Sequence, residues 1–345
     1  MKRIGAADPK DPVLQEAGAL IRRGELVAFP TETVYGLGGN GLNPEAARKI
    51  YEAKGRPSDN PLILHVAEEA QIPELVREYP PRARALAQAF WPGPLTMILP
   101  KSSRVPREST GGLDTVALRM PSHEGARAFL KAAALPVAAP SANRSGRPSP
   151  TEAAAVWEDM QGRIPLILDG GPCEIGLEST IVDLSVPVPT LLRPGFYGLK
   201  ALEEVLGLVA VDPALFRELE EGEAPKAPGM KYRHYAPQVP LTLVEGQDAP
   251  RAAYIMGQAA AGPRTAALVH QENLSLYREA PQLLLIPLGS RSDSRETARR
   301  LFSLLRSLDK LALDQVFCES FPEGELGEAV MNRLSRAAGG RIINI

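Results

Sequence analysis

The sequence predicts an α/β protein in two parts: a larger domain on a mixed, twisted sheet, then a smaller Rossmann-like domain on a parallel sheet. Three observations carry this. Apolar runs of strand length alternate irregularly with capped, amphipathic helical stretches up to residue 207. From residue 241 the alternation becomes regular, as a parallel sheet requires. Between them "ELEEGEAPKAPGMKYRHYAPQVP" is acidic, then proline-rich, then basic and aromatic, the texture of an interdomain linker. The expected boundaries are 1–207, 208–240 and 241–345, and a chain of 345 residues is long enough for two cores.

The elements follow in order. "VLQEAGALIRRG" has helical periodicity and stops at a glycine, and "ELVAF" reads as a buried strand. "NPEAARKIYEAKG" is a helix with Asn43 as N-cap, Pro44 at its first position and Gly55 closing it. "PLILHVA" is a strand and "RARALAQAF" a helix; "LTMIL", "TVALRM" and "PVAA" are further strands. "SPTEAAAVW" opens a helix, with Ser149 as N-cap and Glu152 completing a capping box. "PLILD", "STIVDL" and "TLLR" close the first domain in strands. In the second, strands "LTLVE", "TAALV", "LLLIPL" and "QVFCE" alternate with helices near 250–260 and 294–308 and with "AVMNRLSRAA".

Composition excludes several classes. A net charge of −2 supplies no basic field to recruit nucleic acid. Cys173 and Cys318 are far apart and, with four histidines, form no zinc spacing, so no metal site is expected. No apolar run reaches membrane-spanning length and "MKRIGAADPKDP" has no signal-type core. The expectation is a cytoplasmic protein without membrane contact or strong direct nucleic-acid binding.

"FPTETVYGLGGNG" contains G-x-G-x-x-G at Gly36, Gly38 and Gly41. A dinucleotide fingerprint needs its first glycine at the strand end and its third in the helix start. Here "PTETVY" intervenes and the helix waits until Pro44, so the glycines read as a tight backbone turn. Lys54 and Arg56 sit at an exposed helix end, favoured there by the macrodipole, yet "KGRPSDNP" is also a rigid loop fit to clamp phosphate. His65 shares a strand face with Ile63. Arg119 shares one with Thr115 and Ala117, which reads equally as a polar cleft or an ion-paired surface. Ser141, Asn143, Ser149, Ser179 and Arg193 lie at strand-end loops. Together these loops suggest one polar cleft for an anionic ligand.

"FPTETVYGLG", "KGRPSDNPLILHV", "WPGPLT", "ALRMP", "APSANRSGRPSPT", "LESTIVD" and "LLRPG", in this order, closely resemble the YrdC-like L-threonylcarbamoyladenylate synthases. "APGMKYRHYAP" and the region after it resemble the long, two-domain form. The resemblance implies a nucleotidyltransferase that makes threonylcarbamoyl-AMP from L-threonine, bicarbonate and ATP, with Mg2+ accompanying ATP and no organic cofactor. Its product passes to a tRNA threonylcarbamoyl transferase that modifies adenosine 37 of tRNAs reading ANN codons. It implies catalytic roles for Lys54 and Arg56. For ATP it implies Arg56, Asn60, Thr115, Ser141, Asn143, Ser149, Arg193, Tyr232 and His234; for threonine, Thr33, His65, Arg119 and Ser179. The linker would act as a lid. Readings from other classes are a double-stranded RNA-binding module, opposed by the net charge, and a nicotinamide dehydrogenase resting on the glycine match. A carbamoyltransferase of the hydrogenase-maturation type would need cysteine-rich zinc segments.

Overall fold

The computed structural model describes residues 1–5, 7–215, 225–228, 234–260, 262–321, 324 and 326–345. The chain divides into two compact units, Met1–Ser145 with Ser149–Tyr232, and Gly146–Pro148 with Arg233–Ile345.

Among the described residues the first unit has an eleven-stranded mixed sheet. Its order runs Lys2–Arg3, Leu166–Asp169, Val27–Phe29, Gly36–Asn40, Val137–Ala138, Ile63–His65, Thr115–Arg119, Leu95–Pro100, Thr180–Asp183, Thr190–Arg193 and Ala210–Val211. Strand parity sends Leu64, Met97, Leu118 and Val182 to one face, where Ile50 and Leu86 from flanking helices join them. Ile63, Ile98, Ala117, Ile181 and Leu192 take the other face, covered by Ala214 and Ala227. The stretch read from sequence as linker therefore contributes a strand and two packed alanines to the first unit.

Two local expectations are corrected. The glycines of 36–41 do not turn. Gly36–Asn40 is a strand, antiparallel to Val27–Phe29 and to Val137–Ala138, and none of its glycines has a positive φ. They are glycines because neighbours crowd both faces: a Cβ on Gly38 would lie 2.8 Å from Val137 Cγ1, and one on Gly39 would lie 3.0 Å from Ile50. The second correction concerns Ser149. The following helix begins at Ala153 with Glu152 at its cap and no side-chain cap bond. The Ser149 hydroxyl instead donates to Glu178 Oε1 at 2.5 Å, and a buried carboxylate competes well for it. The Pro44–Lys54 helix behaves as read: Asn43 Oδ1 accepts from the Glu45 N–H, and Gly55 closes it at φ 63.

The second unit has five described strands, all paired in parallel, in the order Leu284–Gly289, Thr265–His270, Gln315–Glu319, Leu241–Glu245, Ile342–Asn344. At the carboxyl end of this sheet Glu319 is fully buried and completely satisfied. It accepts from Asn273 Nδ2, Tyr277 Oη and the His270 N–H.

Candidate active site

Apart from His234, the described residues expected in the site lie on the first unit, on its strands, at one helix end and in the connecting loops. Arg119 ends its strand with His65 as its register partner on one side and Thr96 on the other. Thr96 Oγ1 lies 2.7 Å from Ser179 Oγ. Arg193 donates to the Ser179 carbonyl at 3.1 Å and to its hydroxyl at 3.2 Å, and reaches the Pro228 carbonyl at 3.2 Å. His65, Arg119, Ser179 and Arg193 are thus joined through neighbouring interior strands of one sheet. Arg119 and Arg193 are nearly inaccessible to solvent, so the surface alternative for Arg119 is not realised.

Arg119 has a partner that sequence reasoning missed. Its Nη2 donates to Glu32 Oε1 at 2.7 Å, and both side chains are buried. Glu32 sits in the Thr31–Val34 loop, which Thr31 ties down. Its hydroxyl donates to the Val34 carbonyl, accepts from the N–H of Thr33 and Val34, and lies 2.8 Å from Thr33 Oγ1. Ile175 and Gly176 donate to the carbonyls of Glu32 and Thr33. Thr33 is thereby held beside Glu32. The signal available in the sequence was a lone acid in a buried loop, with an arginine on a core strand needing its charge answered.

The second group gathers around the end of the Pro44–Lys54 helix. Lys54 is buried, not exposed. Its ammonium donates at 2.5 Å to the carbonyls of both Ser141 and Asn143. The Ser141 hydroxyl donates to Asn143 Oδ1 at 2.5 Å, and Asn143 Nδ2 donates to the Arg144 carbonyl. Arg56 donates to the carbonyl of Pro61 at 3.1 Å and, more distantly, of Asn60. The Asn60 amide is buried, and neither its nitrogen nor its oxygen has a partner among the described residues. Buried amides left unpaired cost free energy, which suits a group that meets a ligand. Thr115 is half-buried on the face it shares with Arg119. Ser149 is wholly buried against Glu178.

The lid residues divide. Tyr232 lies outside the described residues. His234 belongs to the second unit, where its ring centroid is 5.6 Å from that of Tyr235. Tyr235 holds φ 63 and packs on Phe302.

Burial, helped by the Arg119 charge, pushes His65 down to about 3, so the ring is neutral near pH 7. Among the described residues no cluster of His, Cys, Asp or Glu could hold a metal ion, and no helix is long and apolar enough to cross a membrane.

Fold and site together define a two-domain α/β protein that buries two arginines, a lysine and several hydroxyls in hydrogen-bonded groups on its first unit. Comparison with known proteins says which. Residues 19–195 match the Sua5/YciO/YrdC family described as "Telomere recombination", and residues 198–339 match "Threonylcarbamoyl-AMP synthase, C-terminal domain". The threonylcarbamoyl-AMP synthase of Bacillus subtilis is 46% identical over 96% of this chain and 95% of its own. That of Pyrococcus abyssi is 46% identical over 95% of each. The solved structure of P. abyssi Sua5 complexed with L-threonine superposes with a TM-score of 0.89 at 44% identity, covering 100% of this chain and 98% of that one. The chain belongs to the Sua5/YrdC family of threonylcarbamoyl-AMP synthases, the nucleotidyl-transferring enzymes behind the threonylcarbamoyladenosine modification of tRNA.

Proposed function

We propose that the first unit carries out the synthase reaction with L-threonine, bicarbonate and Mg2+-carried ATP, through the residues gathered above. The reading rests most on one observation: Arg119 pairs in register with His65 and Thr96, and Thr96 and Arg193 both meet the Ser179 hydroxyl. The threonine amine adds to the bicarbonate carbon and water leaves, giving a carbamate. A carbamate oxygen then attacks the α-phosphorus and pyrophosphate departs. The nucleophile belongs to the substrate, so the protein's work is positioning and charge stabilisation.

In this reading Arg119 pairs with the threonine carboxylate, with Thr33, His65 and Ser179 around it. Arg56, Asn60, Thr115, Ser141, Asn143, Ser149 and Arg193 face the nucleotide. Lys54 shapes the 141–143 loop as well as lending charge. Mg2+ accompanying ATP would be held chiefly by the phosphates and by water and would offset phosphate charge. The segment 208–240 acts as a lid, with Tyr232 and His234 toward the adenylate. The hold of Arg193 on the Pro228 carbonyl supports this. The labile product is handed to a tRNA threonylcarbamoyl transferase in the cytoplasm. Incubating the protein with labelled bicarbonate, threonine and ATP tests the reaction. Pyrophosphate release that needs both threonine and bicarbonate is expected, whereas ADP and phosphate as products would overturn it.

A further inference from the structure

The Glu32–Arg119 pair is unusual for being only half satisfied. A buried ion pair offsets its desolvation only when the remaining donors and acceptors are also bonded. Glu319, in the second unit, meets that condition with both oxygens engaged. Glu32 does not. Its Oε2 and the Nε of Arg119 are buried and have no hydrogen-bond partner among the described residues. One orphan is an anionic acceptor and the other a cationic donor, and they belong to side chains 2.7 Å apart. Nor is the acid there by slack in the loop, since Thr31 and the 175–176 amides fix the backbone on both sides of it.

A simple anion would answer the Arg119 orphan and leave that of Glu32, and a neutral donor–acceptor group could bond both but would answer neither charge. A zwitterion with its two charges on one carbon answers both. We infer that Glu32 is the ammonium-recognising half of an α-amino-acid site whose carboxylate-recognising half is Arg119. The free protein keeps the site charge-balanced by pairing the two residues with each other. The incoming amino acid inserts between them, so that one buried pair becomes two. This rests on the threonine reading above and adds to it a residue and a selection rule: acids of the same shape that lack the α-amine are rejected.

The test compares L-threonine with 3-hydroxybutanoate, which is threonine without its amine, by calorimetry on the full chain. A charge-assisted hydrogen bond corresponds to about 10- to 100-fold in affinity. The unsubstituted protein should therefore prefer threonine by at least about tenfold. In Glu32→Gln that preference should fall below about threefold, through weaker threonine binding, while 3-hydroxybutanoate binds as before or tighter. A Glu32 that merely orients Arg119 would instead weaken both ligands by one factor, and that result overturns the inference. If Glu32→Gln does not fold, the unsubstituted protein still decides, because a preference under about threefold overturns it alone. The two readings fail differently. No threonine binding by the unsubstituted protein removes both, whereas threonine binding without discrimination removes only this one.

Discussion

The Lys54 ammonium lies 2.5 Å from the Ser141 carbonyl oxygen. With its equal bond to the Asn143 carbonyl, it ties the end of one helix to a loop 87 residues further along the chain. A lysine at an exposed helix end would be expendable for folding; this one is buried and bonded to two carbonyls. Lys54→Ala strips a charged donor from both carbonyls and should destabilise the chain by about 1.5–3 kcal/mol, the range for a hydrogen bond to a charged group. It should also slow pyrophosphate release by at least about 30-fold. Thermal denaturation and the pyrophosphate assay read the two effects separately. Full stability would refute the tie.

The neutral state of His65 sets a pH dependence. In the unfolded chain the ring gains its proton near the ordinary 6.5, while in the folded chain burial beside Arg119 delays this to about 3. The unfolded state thus binds the extra proton first. The His65 contribution is intact above pH 6.5 and is lost as pH falls toward 3, at up to about 1.4 kcal/mol per pH unit. His65→Asn should flatten the stability profile in that window. Parallel profiles for the two proteins would dismiss the effect.

Arg119→Ala strands Glu32 as a buried carboxylate. A loss of about 3–5 kcal/mol is expected, and Arg119→Met with Glu32→Gln should recover much of it. Neither protein should bind threonine normally. In the folded variants the threonine requirement should rise more than the ATP requirement, which steady-state kinetics measures directly. Equal effects on both substrates would reject Arg119 as a carboxylate ligand.

Two glycines respond differently to a single methyl group. Gly55 has a left-handed φ of 63 but nothing within 4 Å of an added Cβ, so Gly55→Ala carries only the dihedral penalty, about 1 kcal/mol. Gly38 has no positive φ, yet its Cβ would meet Val137 at 2.8 Å and Phe29 and the Val27 carbonyl at 3.1 Å. Gly38→Ala should cost about 1–3 kcal/mol or more through overpacking. Chemical denaturation of both variants tests the order.

The covered sheet face bears on truncation. A chain ending at 206 loses Ala214 and Ala227 and uncovers Ile63, Ile98, Ile181 and Leu192. One ending at 228 keeps the cover and the Arg193–Pro228 bond. The shorter chain should aggregate or melt lower, and the longer one should stay monodisperse by light scattering. Identical behaviour would mean that the cover contributes little.

Much of this was legible in the sequence where periodicity and caps agreed. Asn43, Pro44 and Gly55 bounded a helix to the residue, and the strands Leu241–Glu245 and Gln315–Glu319 matched their apolar runs. The illegible parts share a cause: side chains answering distant partners. Ser149 matched a local capping pattern but went to Glu178, and Lys54 matched a local dipole pattern but went to the 141–143 loop. Glu32 looked like one polar residue among threonines until Arg119 stood opposite. The helix Glu124–Ala133 escaped although it is strongly amphipathic, because its cap is a histidine ring nitrogen rather than one of the usual capping side chains.

The glycine strand has a consequence for how such a chain changes over time. Its missing side chains are the moulded counterpart of Phe29, Val137, Ile50 and Leu26, whose atoms fill the places where Cβ groups would go. A methyl gained at position 38 loses its tightest clash once the two γ-methyls are shed at position 137, while Phe29 and the Val27 carbonyl stay 3.1 Å away. The combination Gly38→Ala with Val137→Ala should therefore be milder than the sum of its parts. Substitutions in this stretch are therefore expected to be best tolerated as compensating pairs across the sheet.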